Sequence, residues 1–283
     1  MPSLPATATR VLDEVRSAGL DLSRVPGSSA KIRLILDLRA QLGEAGRLRV
    51  LDVGCGGLSQ PLNLWEPLVP FADRLDVVGV DIDHLEPTRR RAEELGFPMA
   101  LQQTSVLDLT ETFGPASFDA VVSTQVLEHV PDWIEALRQM HGVLRTDGRL
   151  FLTCDSGDLG RGRANRGWLA GKRAYARVAT RVPAVGRALR PLASGEWERG
   201  QRLDEVGDGA RSVGLEVELL ERYALRDLKD VRGGSGARLL ALAFEEALRE
   251  EADTARFAHL YRILYLRARR PEAQPRQPPV LPL

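Results

Sequence analysis

The residues with the clearest chemical meaning lie in "VLDVGCGGLSQPL", residues 50 to 62, where Asp52, Gly54, Gly56 and Gly57 follow directly on a short apolar run. Glycines carry no Cβ, so a ligand can lie against bare backbone there. Gly54, Cys55 and Gly56 therefore read as a binding loop, and Asp52 at its entrance sets the sign of the ligand. A pyrophosphate beside a helix N-terminus would be repelled by that carboxylate, and the spacing misses the dinucleotide pattern G-x-G-x-x-G. A cationic group is expected instead. A second carboxylate, Asp81, ends the run "VVGVD", placed as an acid is placed to accept from both hydroxyls of a ribose. Ile82 beside it offers an apolar wall for a base. Asp108, in "TSVLDL", can accept from an exocyclic amine while a neighbouring backbone N–H reads a ring nitrogen. The ligand so described is an adenosine with a positively charged, amino-acid-like tail.

Each acid also has an ordinary structural reading. Asp52, Asp81 and Asp83 can cap helices, and Asp108 can hold a loop. Caps do not explain why acids recur at successive strand ends.

The elements that must position these residues alternate. Residues 48–54, 75–82, 98–106, 118–124 and 149–155 are apolar runs bounded by turns and read as strands, with helical patterns such as "PTRRRAEELG" and "PDWIEALRQMHGVLR" between them. Such alternation predicts an α/β protein with a doubly wound, mostly parallel sheet covered on both faces. Ligands of such sheets sit at the C-terminal strand ends, where all these acids fall. Residues 7–45 read as helices, the second with an apolar stripe of Ile32, Ile35, Leu36 and Leu38 after a Ser cap and a stop near Gly43. Two late strands, one of them antiparallel, are expected at 214–225 and 261–270 around a helix from Ala237 to Ala255.

The division that follows is an N-terminal helical cap (1–47), a ligand-binding core (48–155), a basic helical insert (156–203), a C-terminal completion of the sheet (204–270) and a Pro-rich tail (271–283). The chain has 283 residues and no net charge, but residues 156–203 hold 11 Lys and Arg against 3 acidic residues. That surplus makes the rest of the chain acidic. Within the insert, Trp168, Tyr175, Ala179 and Val182 fall on one side of a helix and Arg173, Arg177 and Arg181 on the other, with Pro183 as its stop. Three uses are open to residues 161–192: a lid over the pocket, a peripheral contact with an anionic membrane, or a phosphate-binding face for RNA. The low aromatic content, 5%, argues against a base-stacking surface. Cys55 and Cys154 lie outside any metal or redox spacing, so no metal is expected. With no apolar run near the length of a membrane span and no basic-then-apolar leader, the expected location is the cytoplasm.

With these motifs in view, the chain resembles the class I S-adenosylmethionine-dependent methyltransferases, in particular those whose fourth and fifth strand segments read like "FDAVVSTQVLEHVPDW" and "LRTDGRLFLT". The resemblance covers about residues 48–155 well and the rest loosely. It implies S-adenosyl-L-methionine as cofactor, with Asp52, Gly54, Cys55 and Gly56 at the methionine part, Asp81 and Ile82 at the ribose and base, Asp108 at the adenine amine, and Thr124 at the end of strand four completing the set. The family's third glycine is here Leu58, with Gly57 one position earlier, so the loop differs in shape around the methionine tail.

The activity implied is methylation of a small molecule, on an oxygen of a sugar, glycolipid or secondary metabolite. An RNA methyltransferase and a non-catalytic cofactor-binding partner are the alternatives. "STQV" after strand four does not resemble the Asn-Pro-Pro-aromatic motif of enzymes that methylate amide or base nitrogens. Where an acceptor must lose a proton, His129 is the first candidate base, since histidine ordinarily titrates near neutrality, with Asp155 and Glu128 behind it. His129 has an ordinary reading too, as a turn residue before Pro131. His84 and His141 read as surface or packing residues.

Overall fold

A computed structural model describes residues 6–20, 28–56, 62–158, 199–225, 235–251 and 254–272. One seven-stranded sheet organises them, in the order β3-β2-β1-β4-β5-β7-β6. The strands are β1 (Leu48–Val53), β2 (Leu75–Asp81), β3 (Met99–Gln103), β4 (Phe118–Thr124), β5 (Leu144–Asp155), β6 (Glu216–Leu225) and β7 (Tyr261–Arg269). The first five are parallel, and β7 inserts antiparallel between β5 and β6. The chain therefore reverses its direction of travel across the sheet between β1 and β4, the switch point where such folds bind ligands.

Burial explains the strand sequences. In β1 only Arg49 is exposed, because a central parallel strand is covered on both faces and reads as a continuous apolar run. The edge strand β3 is half-exposed and ends in two glutamines. One face carries α1 (Ala6–Ala18), α2 (Ser29–Ala45), α3 (Leu85–Leu95) and α7 (Ser235–Glu251), whose apolar residues pack with Val50, Val77, Val122, Phe151 and Tyr265. The other carries α4 (Leu109–Phe113), α5 (Trp133–Val143) and α6 (Leu203–Ser212), packed with Leu51, Val53, Val121, Leu150 and Leu152. Alternation along each strand assigns its residues to the two cores.

The expected α/β sheet is present, with differences of detail. Residues 104–106 leave the sheet, because the Ser105 hydroxyl accepts from Leu107 N–H at 3.1 Å and opens a 3-10 turn at Val106–Asp108. Helix α2 runs past Gly43 to Ala45 and ends on Gly46, whose φ of 76° is left-handed. Strand β5 begins at Leu144 rather than 149, since the backbone is already extended there. Between β1 and β2 the described residues form no α-helix but a 3-10 segment, Glu66–Arg74, with prolines at 67 and 70 that cannot donate helical bonds. The amphipathic helix expected before Pro183, and with it the whole of residues 161–192, lies outside the described residues, which include only 156–158 and 199–203 of the insert; so do Gly57, Leu58 and most of the tail. Among the described residues no helix is long and apolar enough to cross a membrane, and no group of three metal-ligating side chains occurs.

Candidate active site at the strand ends

Backbone bonds draw the C-terminal ends of β1, β2 and β3 together. Gly54 and Cys55 donate to the Val80 carbonyl at 2.8 and 3.1 Å, and Thr104 donates to the Asp81 carbonyl at 3.1 Å. The Gln103 amide donates to the Ile82 carbonyl at 2.8 Å. Asp81 then locks the glycine loop: its Oδ2 accepts from Gly56 N–H at 2.9 Å and its Oδ1 from Asp83 N–H at 3.2 Å. Each carboxylate oxygen keeps a further lone pair for a ligand hydroxyl.

The glycines turn out to serve the loop's own packing. A Cβ on Gly56 would stand 2.6 Å from the Asp83 carbonyl oxygen and 2.8 Å from the Asp81 carboxylate. At Gly54, with φ of 79°, it would meet Val126 Cγ2 at 2.2 Å. The bare backbone expected to face a ligand thus also lets β1, β2 and the turn after β4 close on one another. Cys55 is buried, its carbonyl accepting from the Thr88 hydroxyl at 2.9 Å. Burial, with Asp52 and Asp81 nearby, pushes its thiol well up, so it stays protonated.

Asp52 is 6% exposed. It caps no helix; its Oδ2 accepts from the Trp65 indole N–H at 2.7 Å. Its Oδ1 has no hydrogen bond to a described residue. Burial raises its pKa to about 6, opposed by the Trp65 bond and the charge of Lys31 and reinforced by Asp81. Lys31, in the first turn of α2, donates from Nζ to Asn63 Oδ1 at 3.2 Å. Its own pKa is lowered by burial, against the field of Asp52. Trp65, Asn63 and Lys31 were not singled out in the sequence, where "NLWEPL" and an apolar helical stripe give no sign that Trp65 bonds Asp52 or that Lys31 bonds Asn63.

Further along the rim, Ile82 is 68% exposed, the most open of the large apolar side chains described. Asp108 is exposed in its 3-10 turn. Thr124 is half-buried at the end of β4. After it Gln125, at φ 56°, donates from its backbone to Thr153 and from its side chain to Asp155 Oδ1 at 3.0 Å. His129 is exposed and its imidazole bonds to no described residue, so Asp155 does not orient it. Glu128 is 1% exposed. His84 is exposed beside Asp83, and His141 is half-buried under Arg270, with its pKa lowered by burial. A cleft of about 380 Å³ lies away from these strand ends, lined by Asp37, Gln41, Glu44, Arg149, Glu218 and Arg267. Its charges are paired with each other, as in Arg267–Asp37 at 3.0 Å and Arg149–Glu218 at 3.3 Å.

An acid under the glycine loop, a second at the end of β2, an apolar side chain beside it and a third acid after β3 form the constellation of one family. A family model described as a methyltransferase domain matches residues 51–152. Over that segment the chain is similar to the class I S-adenosylmethionine-dependent methyltransferases. The ubiquinone biosynthesis O-methyltransferase of Haemophilus ducreyi (strain 35000HP / ATCC 700724) is 35% identical over 110 residues, which are 37% of this chain and 44% of that one. The protein of the same name from Ruegeria pomeroyi (strain ATCC 700808 / DSM 15171 / DSS-3) is 32% identical over 182 residues, 64% of each chain. The chain thus matches less than two thirds of the length of either relative. Among solved structures the [4+2]-cyclase SpnF superposes with a TM-score of 0.52 at 17% identity, over 96% of this chain and 98% of that one. At that identity it speaks for the fold alone.

Proposed function

We propose that the protein transfers a methyl group from S-adenosyl-L-methionine to an oxygen of a small molecule. The observation that carries the reading is the locked rim: Asp52 buried with one oxygen free of hydrogen bonds to described residues, Gly56 tied to Asp81, and Ile82 exposed beside it. These residues fit the cofactor's parts. Asp52 would hold the ammonium, the backbone of Gly54, Cys55 and Gly56 the methionine chain, Asp81 the ribose hydroxyls, Ile82 the base, Asp108 the adenine amine, and Thr124 the floor next to the acceptor. Bound there, the cofactor supplies a methyl group already activated by the sulfonium charge. The chain's part is alignment, which in well-ordered sites is worth about 7 to 11 kcal/mol. The exposed His129 stands as the proton acceptor for an acidic hydroxyl; Asp155, tied to Gln125, is the weaker choice.

The relatives are named for O-methylation, which supports an oxygen acceptor. A sugar, glycolipid or secondary metabolite is the substrate class we favour, in the cytoplasm, with residues 161–192 as lid or as a peripheral membrane contact.

The test is incubation with methyl-labelled cofactor and a fractionated extract, with Asp81→Ala as control. Label entering small polar or lipid fractions with the wild type and not with Asp81→Ala is expected. Label in RNA, or cofactor binding unchanged in Asp81→Ala, would overturn the proposal.

A further inference from the structure

Residues 199–201 form a short strap that joins two segments the sheet itself lets go. Strands β4 and β5 pair as far as Thr124 and Thr153, and Gln125 N–H still donates to the Thr153 carbonyl at 2.8 Å. Gln125, at φ 56°, then turns the chain towards the 3-10 turn Leu127–His129, while β5 runs on to Asp155. Past that fork the strap bonds to both arms. Gln201 N–H donates to the Asp155 carbonyl at 3.1 Å, and the Gln201 carbonyl accepts from Gly157 N–H at 2.7 Å. On the other arm, Arg199 N–H donates to the Glu128 carbonyl at 3.0 Å and the Gln201 amide Nε2 to the Leu127 carbonyl at 3.3 Å. The Leu127 carbonyl also accepts from Val130 N–H at 3.2 Å, so Gln201 bonds to the group that closes the turn bearing His129.

Two observations set Gln201 apart from ordinary packing. It is 1% exposed, and its Oε1 is buried with no hydrogen bond to a described residue. An amide in such a place carries a desolvation cost that an apolar side chain of the same length would not, and one long bond does not offset it. The strap is also held close to β5. A Cβ on Gly157 would stand 2.5 Å from the Gly200 carbonyl oxygen, and one on Gly200 would stand 2.8 Å from Gly157 N. Both contacts are with backbone, which no rotamer change relieves. Two bare backbones therefore seat Gln201 where it reaches across the fork.

We propose that Gln201 is a positioning residue for the acceptor side of the site, its backbone gripping the Asp155 end of β5 and its amide fixing the turn that carries His129. The proposal rests on the methyl-transfer reading above, in which His129 and Asp155 are the two proton acceptors considered. It gives the strap a task distinct from cofactor binding, because the bonds just described go to the two arms of the fork and not to Asp52, the glycine loop or Asp81. Without the amide the cofactor's seat stays intact and the turn is free to drift relative to β5.

The experiment uses Gln201→Met, which keeps the length of the side chain without its amide, and Gly200→Ala, which wedges the strap from the backbone side. Cofactor affinity is read by calorimetric titration with S-adenosyl-L-methionine. Transfer is read as the rate at which methyl label from saturating cofactor enters the extract fraction that the wild type labels. Both variants are expected to bind the cofactor within about threefold of the wild type. Both should transfer label about 10- to 100-fold more slowly, the scale of an ångström-sized misplacement of reacting groups, with the deficit persisting when the fraction is saturating. Transfer at the wild-type rate by either variant would overturn the proposal. Loss of cofactor binding together with transfer in Gln201→Met would overturn it too, by making the strap a structural part only. A wild type that binds the cofactor and labels no fraction would instead bring down the methyl-transfer reading, and the proposal with it.

Discussion

Asp52 is at once the site's most useful and most expensive residue. Its folded pKa of about 6 exceeds the 3.8 ordinary for an aspartate, so the folded state binds more protons than the unfolded one between about pH 4 and 6. Stability from this group is present at the acid end of that window and is lost as pH rises through it. The full shift corresponds to about 3 kcal/mol, an order-of-magnitude figure. Asp52→Asn keeps an acceptor for the Trp65 indole and removes the buried charge. Urea titrations across this range should find the variant more stable by about 1 to 3 kcal/mol above pH 6 and little changed near pH 4, while its cofactor affinity falls about tenfold or more. A variant equally weakened at all pH values would place the Trp65 bond, not the charge, at the centre of Asp52's role. The acid itself was legible from the glycines beside it. Its burial was not, because the groups that cover it come from 13 residues downstream, at Trp65, and from α2.

Among the elements, α2 and α7 have the largest say in how the site is held. Glu245 of α7 is buried and joins Ser29 at the start of α2 to the last residues of β6. Burial raises its pKa, against the hydrogen bonds that favour the carboxylate. A second knot lies below it, where Asp37 of α2 accepts from the Tyr265 hydroxyl at 2.7 Å and pairs with Arg33 and Arg267. Removing Glu245 takes the acceptor from Leu225 N–H and from the Ser29 hydroxyl, and leaves Ala224 N–H with only Ser29 Oγ, at 3.1 Å. Glu245→Ala should therefore cost about 2 to 4 kcal/mol in a urea titration with an unchanged slope, and weaken cofactor binding besides. Glu245→Gln, which keeps part of the acceptor set, should cost less. Helices α2 and α7 were legible as amphipathic segments, since apolar periodicity is a local property. Their polar knots were not: Ser29 and Glu245 stand 216 residues apart in sequence.

For the whole molecule, the site gathers residues from strands that only the folded sheet brings side by side, so ligand binding and global stability are linked. A ligand that binds only the folded state at 100 times its Kd adds about 2.7 kcal/mol. Melts with S-adenosyl-L-methionine should show a rise of roughly 5 to 10 °C at that ratio, and Asp81→Ala should show none at the same concentration. An equal rise in both would place the ligand elsewhere. The sheet order also puts Asp155, at the end of β5, beside Ile263 of β7, so the late antiparallel pair supports the Asp155 side of the rim rather than forming a separate lobe.

Local sequence determined the strands, the glycine loop, the acids at the strand ends and the apolar residue beside the second acid, because pleat alternation, turn chemistry and strand ends are written in neighbouring residues. It also determined the similarity to a methyltransferase domain over residues 51–152, since the order of those motifs is itself a sequence property. Tertiary structure alone decided that the glycines close on Val126 and Asp81, that Asp155 bonds Gln125 and not His129, that Trp65 bonds Asp52, and that Lys31 bonds Asn63 within reach of Asp52's field. The reason is physical: a buried charge takes its partners from whatever elements the fold packs over it, and no local pattern has to record which those are.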